Sequence, residues 1–201
     1  MKIDFSQVSL ILQPLGRSLR AYFLAASLIF AISIAIGWQI GSSDPETSRL
    51  VIAQLEEKFS SVKDATAEEI FFFIFINNTL IDAAAIFLFF VGGLVPVLLL
   101  AGNGLTIGLV VNLLRQDFST AQSIAALIPH GIIEIPAFLM AGAVGFWLNW
   151  QMILRIFYKK PFFSSLKSAF FFFLIIIVPL NFTAALIETF ITPLILNFFL
   201  K

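Results

Sequence analysis

The stretch that decides the fold is residues 121–150, AQSIAALIPHGIIEIPAFLMAGAVGFWLNW. It is longer than the roughly 20 apolar residues that a helix needs to cross a bilayer. Two ionisable side chains interrupt it, His130 and Glu134. Residues four apart share one face of a helix, so these two side chains would point the same way. Since ionisable groups are costly at bilayer depth, we expect them to face the interior of a helix bundle rather than lipid.

The composition of the whole chain agrees with a membrane protein. Of its 201 residues, 60% are hydrophobic and 12% are charged, whereas soluble domains carry about 25% charged residues. The mean hydropathy is +1.01. Zero net charge argues against a nucleic-acid partner, and the absence of cysteine excludes disulfides, thiolate metal sites and a cysteine nucleophile. We predict an all-α, polytopic transmembrane helix bundle without a cofactor.

The apolar runs predict five spans with broken helices, and six spans are the alternative. Residues 1–18 are expected to form an interfacial amphipathic helix that ends at Pro14 and Gly16, followed by one transmembrane domain, 19–201. The expected spans are 19–40, 70–91, 94–114, 121–150 and one from Ala169 onward that precedes a terminal helix. Breaks are expected at Gly92-Gly93, Gly102–Gly104, Pro129 or Pro136, Pro179 and Pro193.

The polar segment 41–69 is predicted to be an extracytoplasmic helical loop. Pro45 suits a first helical turn with Ser43 or Asp44 as its cap. An apolar stripe (Ile52, Leu55, Phe59, Val62) would dock on the bundle, the bilayer or a partner, and packing on the bundle is the default. Thr66-Ala-Glu-Glu69 matches a capping box that starts the second span.

The charges of the connecting segments predict the orientation. The 41–69 segment carries seven acidic and three basic residues, whereas 151–168 carries four basic and no acidic residues. Lys and Arg favour the cytoplasmic side in short loops. We therefore expect a multi-pass protein of the cell (plasma) membrane with a cytoplasmic N-terminus.

Several polar side chains fall within the predicted spans. Asn78 and Asp82 repeat the four-residue spacing of His130 and Glu134, so two polar helix faces could oppose each other. Asn181 and Glu188 are interpreted as structural residues near a membrane interface. For the others the alternative is also structural, namely interhelical hydrogen bonds of about 1 kcal/mol each. We predict one intramembrane polar site, made of Asn77, Asn78, Asp82, Asn103, His130 and Glu134.

Small residues and prolines mark points of helix breakage or close packing: Gly102, Gly104, Gly108, Pro129, Gly131, Gly142 and Gly145. Glycines let helix backbones approach, and an unwound helix can offer backbone groups to a ligand. Enzyme motifs are incomplete. His130-x-x-x-Glu134 is not the His-Glu-x-x-His pattern of zinc proteases, and the Gly-x-Ser-x-Gly elbow is missing. One histidine supplies few ligands, so a metal site stays unassigned.

Four blocks of sequence resemble the stage II sporulation protein M family. They are Phe75-x-Asn77-Asn78, Ala101-Gly-Asn-Gly-Leu-x-x-Gly108, Pro129-His-Gly-x-x-Glu134-x-x-Ala137 and Ala141-Gly-Ala-x-Gly145. The resemblance covers about residues 71–148 and implies an integral membrane protein. In spore formers it implies a membrane anchor for partner proteins that remodel peptidoglycan during engulfment.

Three functions remain open at this point. The first is a membrane scaffold for an envelope-remodelling complex, whose partners are membrane lipids, other membrane or envelope proteins, or a second copy of the chain. The second is a small transporter or permease subunit that uses His130 and Glu134 to bind a proton, a cation or a substrate. The third is a membrane enzyme that acts on lipid-linked substrates.

Overall fold

The computed structural model of the chain describes the backbone of residues 5–60, 65–117 and 120–194. Within these ranges it describes all side chains except those of residues 5–12, 14, 17, 55, 56, 58–60, 117 and 120–130. The regular elements of the described part are all helical. Five of its segments are long and apolar enough to cross a membrane: Ser18–Ser43, Ala67–Phe87, Leu94–Gln116, Gly131–Tyr158 and Phe163–Leu194. The predicted all-α bundle with five spans is confirmed.

The helices follow one another with short connections. In chain order they are α1 (Phe5–Ser43), α2 (Pro45–Ser60), α3 (Ala67–Phe87), α4 (Leu94–Asp117), α5 (Thr120–Tyr158), α6 (Phe163–Phe172) and α7 (Val178–Leu186). A π-helical turn, Phe173–Ile177, joins α6 to α7, and a second one, Ile187–Ile191, extends α7. We call the continuous segment Phe163–Leu194 the fifth span.

The starts of α2 and α3 are fixed by local hydrogen bonds. Thr66 and Glu69 form the predicted capping box, in which the Glu69 N–H donates to Thr66 Oγ1 and the Thr66 N–H donates to Glu69 Oε2. Asp44 precedes α2 and accepts hydrogen bonds from the Glu46 N–H and the Thr47 hydroxyl. The bond from Thr47 holds the pKa of Asp44 below its ordinary value, so the carboxylate is charged where it meets the positive end of α2.

Gly92 and Gly93 form the predicted reversal. Both have positive φ, 66° and 74°, a backbone conformation that favours glycine. They separate the 3₁₀ turn Phe89–Val91 from the start of α4. The turn lets α4 run back along the bundle in the direction opposite to α3.

Most of the other predicted breaks are wrong. α1 continues through Pro14 and Gly16, α4 continues through Gly102–Gly104, and α5 continues through Pro129 and Pro136. A proline removes one backbone hydrogen bond, but a full break in the hydrocarbon leaves several backbone groups without partners. The chain is also helical through Pro179 and Pro193. The fifth span is irregular, however, because its first π-helical turn ends two residues before Pro179. Residues 195–201, where we expected a terminal helix, lie outside the described residues.

Two helix pairings organise the bundle. α1 and α4 run parallel, since Phe30 and Ser33 meet Gly104, and Gly41 meets Asn112 near the ends of the two spans. α3 packs between α5 and the fifth span. The largest buried cluster joins α1, α3, α5 and the fifth span and contains Leu15, Ile86, Trp147, Leu148, Phe172 and Ile177. Because Leu15 is part of this core, the N-terminal part of α1 packs on the bundle.

The polar segment after α1 folds back against it. α2 packs on α1 and α4, and Ser48 is fully buried beside Gly41. Ile52, the described member of the predicted apolar stripe, is half-buried, while Leu50 is 58% exposed. α2 therefore docks on its own bundle, whereas the packing of the whole stripe stays a prediction. The stripe's other members, Leu55, Phe59 and Val62, lie outside the described side chains.

Candidate functional site: a buried polar pair between spans

A hydrogen bond between two buried side chains links α3 to α7. Asp82 is 2% exposed and Asn181 is fully buried. Asn181 Nδ2 donates to Asp82 Oδ2 at 2.8 Å. Both residues lie within candidate membrane spans, where a polar group without a partner is costly. We call Asp82 and Asn181 the buried pair.

The helix geometry of α3 places further polar groups next to Asp82. Asn78 lies one turn before Asp82, and Asn77 Nδ2 donates to Asn78 Oδ1 at 3.1 Å. Asn77 and Asn78 are half-buried. Thus three of the predicted site residues, Asn77, Asn78 and Asp82, form one continuous polar stretch of α3.

Aromatic and small residues pack α3 against its neighbouring helices close to the buried pair. On one side of it, Phe71 and Phe75 pack edge-to-face against Phe182, with ring centres 5.2 and 5.8 Å apart. On the other side, the backbone carbonyl of Ala85 lies where a side chain on Gly145 would have to go. α3 is therefore fixed against both neighbours close to Asp82, which leaves little freedom to separate the two polar side chains.

Glu134 joins this region from α5. It is half-buried on the helix that packs against α3. Glu134 also takes part in interactions of its own. The side chain of His130 lies outside the described residues, so the predicted contact between His130 and Glu134 stays a prediction.

Asn103 does not join the buried polar groups. It is exposed on α4, and its amide donates to the carbonyl oxygen of Leu99 in its own helix at 2.9 Å. Among the described residues, no group of three His, Asp or Glu side chains is arranged to hold a metal ion. The described part of the predicted site therefore consists of Asn77, Asn78, Asp82 and Glu134.

The observed position of Asn181 differs from the one that we predicted from the sequence. We expected a structural role near a membrane interface, but Asn181 lies in the interior of the fifth span and pairs with Asp82. Glu188, one residue into the second π-helical turn, is half-buried and also has interaction partners. The spacing of seven residues between Asn181 and Glu188 puts both on one helix face, and that spacing was the available signal.

Polar atoms around the buried pair remain unsatisfied within the described part of the chain. Asn78 Nδ2, Thr79 Oγ1 and Asn181 Oδ1 are buried and have no hydrogen-bond partner there. A buried donor or acceptor without a partner destabilises a fold by about 1–3 kcal/mol. These three atoms therefore have capacity to bind something further.

The predicted glycines divide into two groups. Gly104, Gly108, Gly142 and Gly145 lie at close helix contacts, where an added side chain would collide with a neighbouring helix. Gly102 and Gly131 face no neighbouring helix within 4 Å. Gly37 was missed by the sequence reasoning, although it touches the backbone of Leu105 on α4. It forms a tight crossing with Gly104 and Gly108.

Comparison with known families gives one match. The model of the family described as Stage II sporulation protein M matches residues 26–193, which is most of the chain. The matched range includes all five candidate spans in whole or in large part. Neither a curated protein nor a solved structure matches the chain.

Proposed function

Because this chain belongs to the stage II sporulation protein M family, we propose that it is a membrane scaffold that positions an envelope-remodelling complex. The family match and the five apolar helical segments identify it as an integral membrane protein. Its partners under this proposal are envelope proteins that act on peptidoglycan. The polar residues between its spans then serve to hold the helices in one arrangement.

The observation that carries the proposal is the tight packing of the bundle around its polar groups. Gly37, Gly104 and Gly108 bring α1 and α4 into backbone contact, and Gly145 does the same for α3 and α5. The buried pair then ties α3 to the fifth span. These close backbone contacts and the buried hydrogen bond hold the helices together, as a support for partner proteins requires.

α2 supplies a docking face outside the spans. Its inner side is held against α1 and α4, while its outer side exposes Leu50, Glu46 and Arg49. An exposed apolar residue with charged neighbours on a fixed helix fits the centre of a small protein contact. The proposal assigns the partner contact to this outer side, where Leu50 is 58% exposed.

The proposal requires α2 on the outer side of the plasma membrane and the N-terminus in the cytoplasm. The chain has no cysteine, so single cysteines report the side directly. We expect Ala53→Cys on α2 to react with a membrane-impermeant maleimide in intact cells. Lys160→Cys, in the connection between α5 and α6, should react only after the cells are opened. The reverse pattern would overturn the orientation and with it the docking face.

The scaffold role is tested by a substitution in the docking face. Leu50→Glu should leave abundance in the membrane unchanged, because Leu50 is exposed, and should abolish co-purification with peptidoglycan-remodelling enzymes. Tyr158→Glu is the matched control, since Tyr158 is also exposed but lies at the end of α5. Wild-type protein that co-purifies with none of these enzymes, or a Leu50→Glu variant that retains them, would contradict the proposal.

A small transporter is the second candidate, and one observation favours it. Asp82, Glu134 and the unsatisfied amides of Asn78 and Asn181 concentrate polar groups at membrane depth, where ion and substrate pathways are found. A proton, a small cation or a polar substrate would be the ligand. His130, one turn before Glu134 on α5, would be the histidine of such a site.

One variant separates the two candidates. In a scaffold, His130→Ala acts through folding, so abundance, partner binding and function fall together, and function per folded molecule stays near the wild-type level. In a transporter, the same change removes function at full abundance and with full partner binding. Measuring all three quantities in parallel decides between them, and the second pattern would contradict the scaffold proposal.

A further inference from the structure

A polar pocket lies where the first and third candidate spans end, away from the buried pair. It measures about 410 Å³, and its lining includes Trp38, Ser42, Asn112, Arg115 and Gln116. The spans that contribute these residues end at Ser43 and Gln116. The pocket therefore sits at the boundary between the hydrocarbon and the polar zone of the membrane, at the depth of lipid headgroups.

Arg115 is the charged group of this pocket. Its guanidinium carbon lies 4.7 Å from the ring centre of Trp38, a distance typical of a cation–π contact. No carboxylate forms an ion pair with Arg115 in the described part of the chain. Stacking restricts the orientation of the guanidinium plane but leaves its N–H groups free to donate in the plane. Arg115 is thus a positioned cation whose hydrogen-bonding edge is available.

Two hydrogen-bond acceptors near the pocket already have donors within the protein. The carbonyl oxygen of Trp38, at the negative end of α1, accepts from Ser42 Oγ at 2.9 Å and from Asn112 Nδ2 at 3.4 Å. Asp44 is occupied by the first residues of α2. The lining contains a guanidinium, a hydroxyl and amide groups but no carboxylate. The pocket therefore favours an anion over a cation.

Asn112 is a buried residue of the pocket lining, and hydrogen bonds hold its side chain in place. It is 8% exposed, and its amide donates to Ser42 Oγ at 2.7 Å. This bond crosses from α4 to α1 and holds the Ser42 hydroxyl in place. These bonds use the Asn112 amide hydrogens and the Ser42 hydroxyl hydrogen, so Arg115 and Gln116 supply the side-chain donors that remain for a ligand.

We propose that this pocket binds a phosphate group, with the headgroup of an anionic lipid as its source. The planar guanidinium matches phosphate oxygens in a two-bond arrangement, and Arg is the preferred residue for such recognition. Trp38 is the type of residue that sits at headgroup level. Free phosphate presents the same chemistry, so the two sources need separate arms of one experiment. A lipid held here would fix the outer ends of α1 and α4 to each other.

The test uses the full chain, purified in a neutral detergent, and measures apparent affinity from the shift of thermal unfolding with ligand concentration. The probes are dioctanoyl phosphatidylglycerol, dioctanoylglycerol without phosphate, and inorganic phosphate. Arg115→Gln keeps a polar side chain of similar reach and removes the charge. Arg115→Lys keeps the charge and removes the planar fork. Arg49→Gln is the matched control, because Arg49 is an exposed arginine on the adjacent helix α2.

We expect phosphatidylglycerol to stabilise the wild type and the Arg49→Gln variant equally. Arg115→Gln should weaken its binding about tenfold or more, and Arg115→Lys should weaken it less. If inorganic phosphate also binds in an Arg115-dependent way and competes with the lipid, the source is soluble phosphate. If inorganic phosphate has no effect, the source is the lipid. Equal binding by wild type and Arg115→Gln, or equal stabilisation by dioctanoylglycerol, overturns the proposal.

Discussion

Two helix interfaces in this bundle are held by opposite means. Where α1 crosses α4, glycines bring two backbones into direct contact, and the polar contacts of Asn112 and Arg115 lie only at the ends of the two spans. Where α3 meets the fifth span, Asp82 and Asn181 form a buried hydrogen bond flanked by aromatic rings. The first interface tolerates no added volume, whereas the second tolerates no loss of a polar partner.

The difference shows how a helix bundle in lipid obtains specificity without a hydrophobic effect between its helices. Close approach at glycines yields many weak dispersion contacts and depends on shape alone. A polar pair adds one directional bond of about 1–2 kcal/mol. A substitution that adds volume at a glycine contact should therefore destabilise this protein more than the loss of a single hydrogen bond.

The largest expected effect comes from filling the α1–α4 crossing. Gly108→Leu places a side chain where the backbone of Ile34 and Trp38 lies, so the helices must separate. We expect a loss of at least about 3 kcal/mol, the upper range for overpacking, and low abundance in the membrane. Gly102→Leu is the control, because nothing lies within 4 Å of its added Cβ. If the two variants have similar abundance and similar unfolding in mixed micelles, close packing at this crossing does not determine stability.

The next effect comes from removing one member of the buried pair. Asp82→Ala leaves Asn181 without its acceptor and should lower the free energy of unfolding by about 2 kcal/mol. A cycle with Asn181→Ala and the double variant isolates the interaction, for which we expect about 1–2 kcal/mol of coupling. A coupling energy near zero would show that this bond does not hold α3 to the fifth span.

A smaller effect is expected at Glu134. Glu134→Gln removes a half-buried carboxylate on α5 and should lower the free energy of unfolding by about 1 kcal/mol. Glu68→Gln is the control, because Glu68 is exposed at the start of α3. Unfolding and functional assays that rank Glu68→Gln as the more harmful change would contradict the assignment of Glu134 to the polar site.

The smallest effect is expected at the start of α3. Thr66→Ala removes the side-chain acceptor of the capping box and should lower stability by about 0.5–1 kcal/mol. It lies far from both interfaces, so its effect should add to that of Asp82→Ala. A strongly non-additive double variant, measured by unfolding in mixed micelles, would mean that the end of α3 and the buried pair are coupled.

Local signals in the sequence were sufficient where a few neighbouring residues decide the structure. The capping box at Thr66, the reversal at Gly92-Gly93 and the apolar spans all follow from short windows. The predicted breaks at Gly102–Gly104 and Pro136 failed for a general reason. Helix-breaking preferences are measured in water, whereas in hydrocarbon every lost backbone bond is costly and continuous helices prevail.

Long-range pairing was not available from the sequence. Asp82 and Asn181 are far apart in the chain, and nothing local to Asn181 reveals its partner. Gly37 likewise looks ordinary in α1, and only the parallel arrangement of α1 and α4 makes it essential. Asn103 carried the same local polarity as Asn78, yet α4 turns it outward. Which face of a span is buried depends on the neighbours, and the neighbours are set by the fold.

We infer that the buried pair supports the fold of a scaffold and is not a path for a transported ligand. The most direct test compares Asp82→Leu, Asn181→Leu and the double variant, because well-packed apolar residues often replace a buried polar pair at little cost. The measurement is abundance, co-purification with peptidoglycan-remodelling enzymes and function in the cell. We expect both single variants to be depleted and the double variant to recover all three quantities. A double variant that is abundant and retains its partners but has no function would contradict the claim.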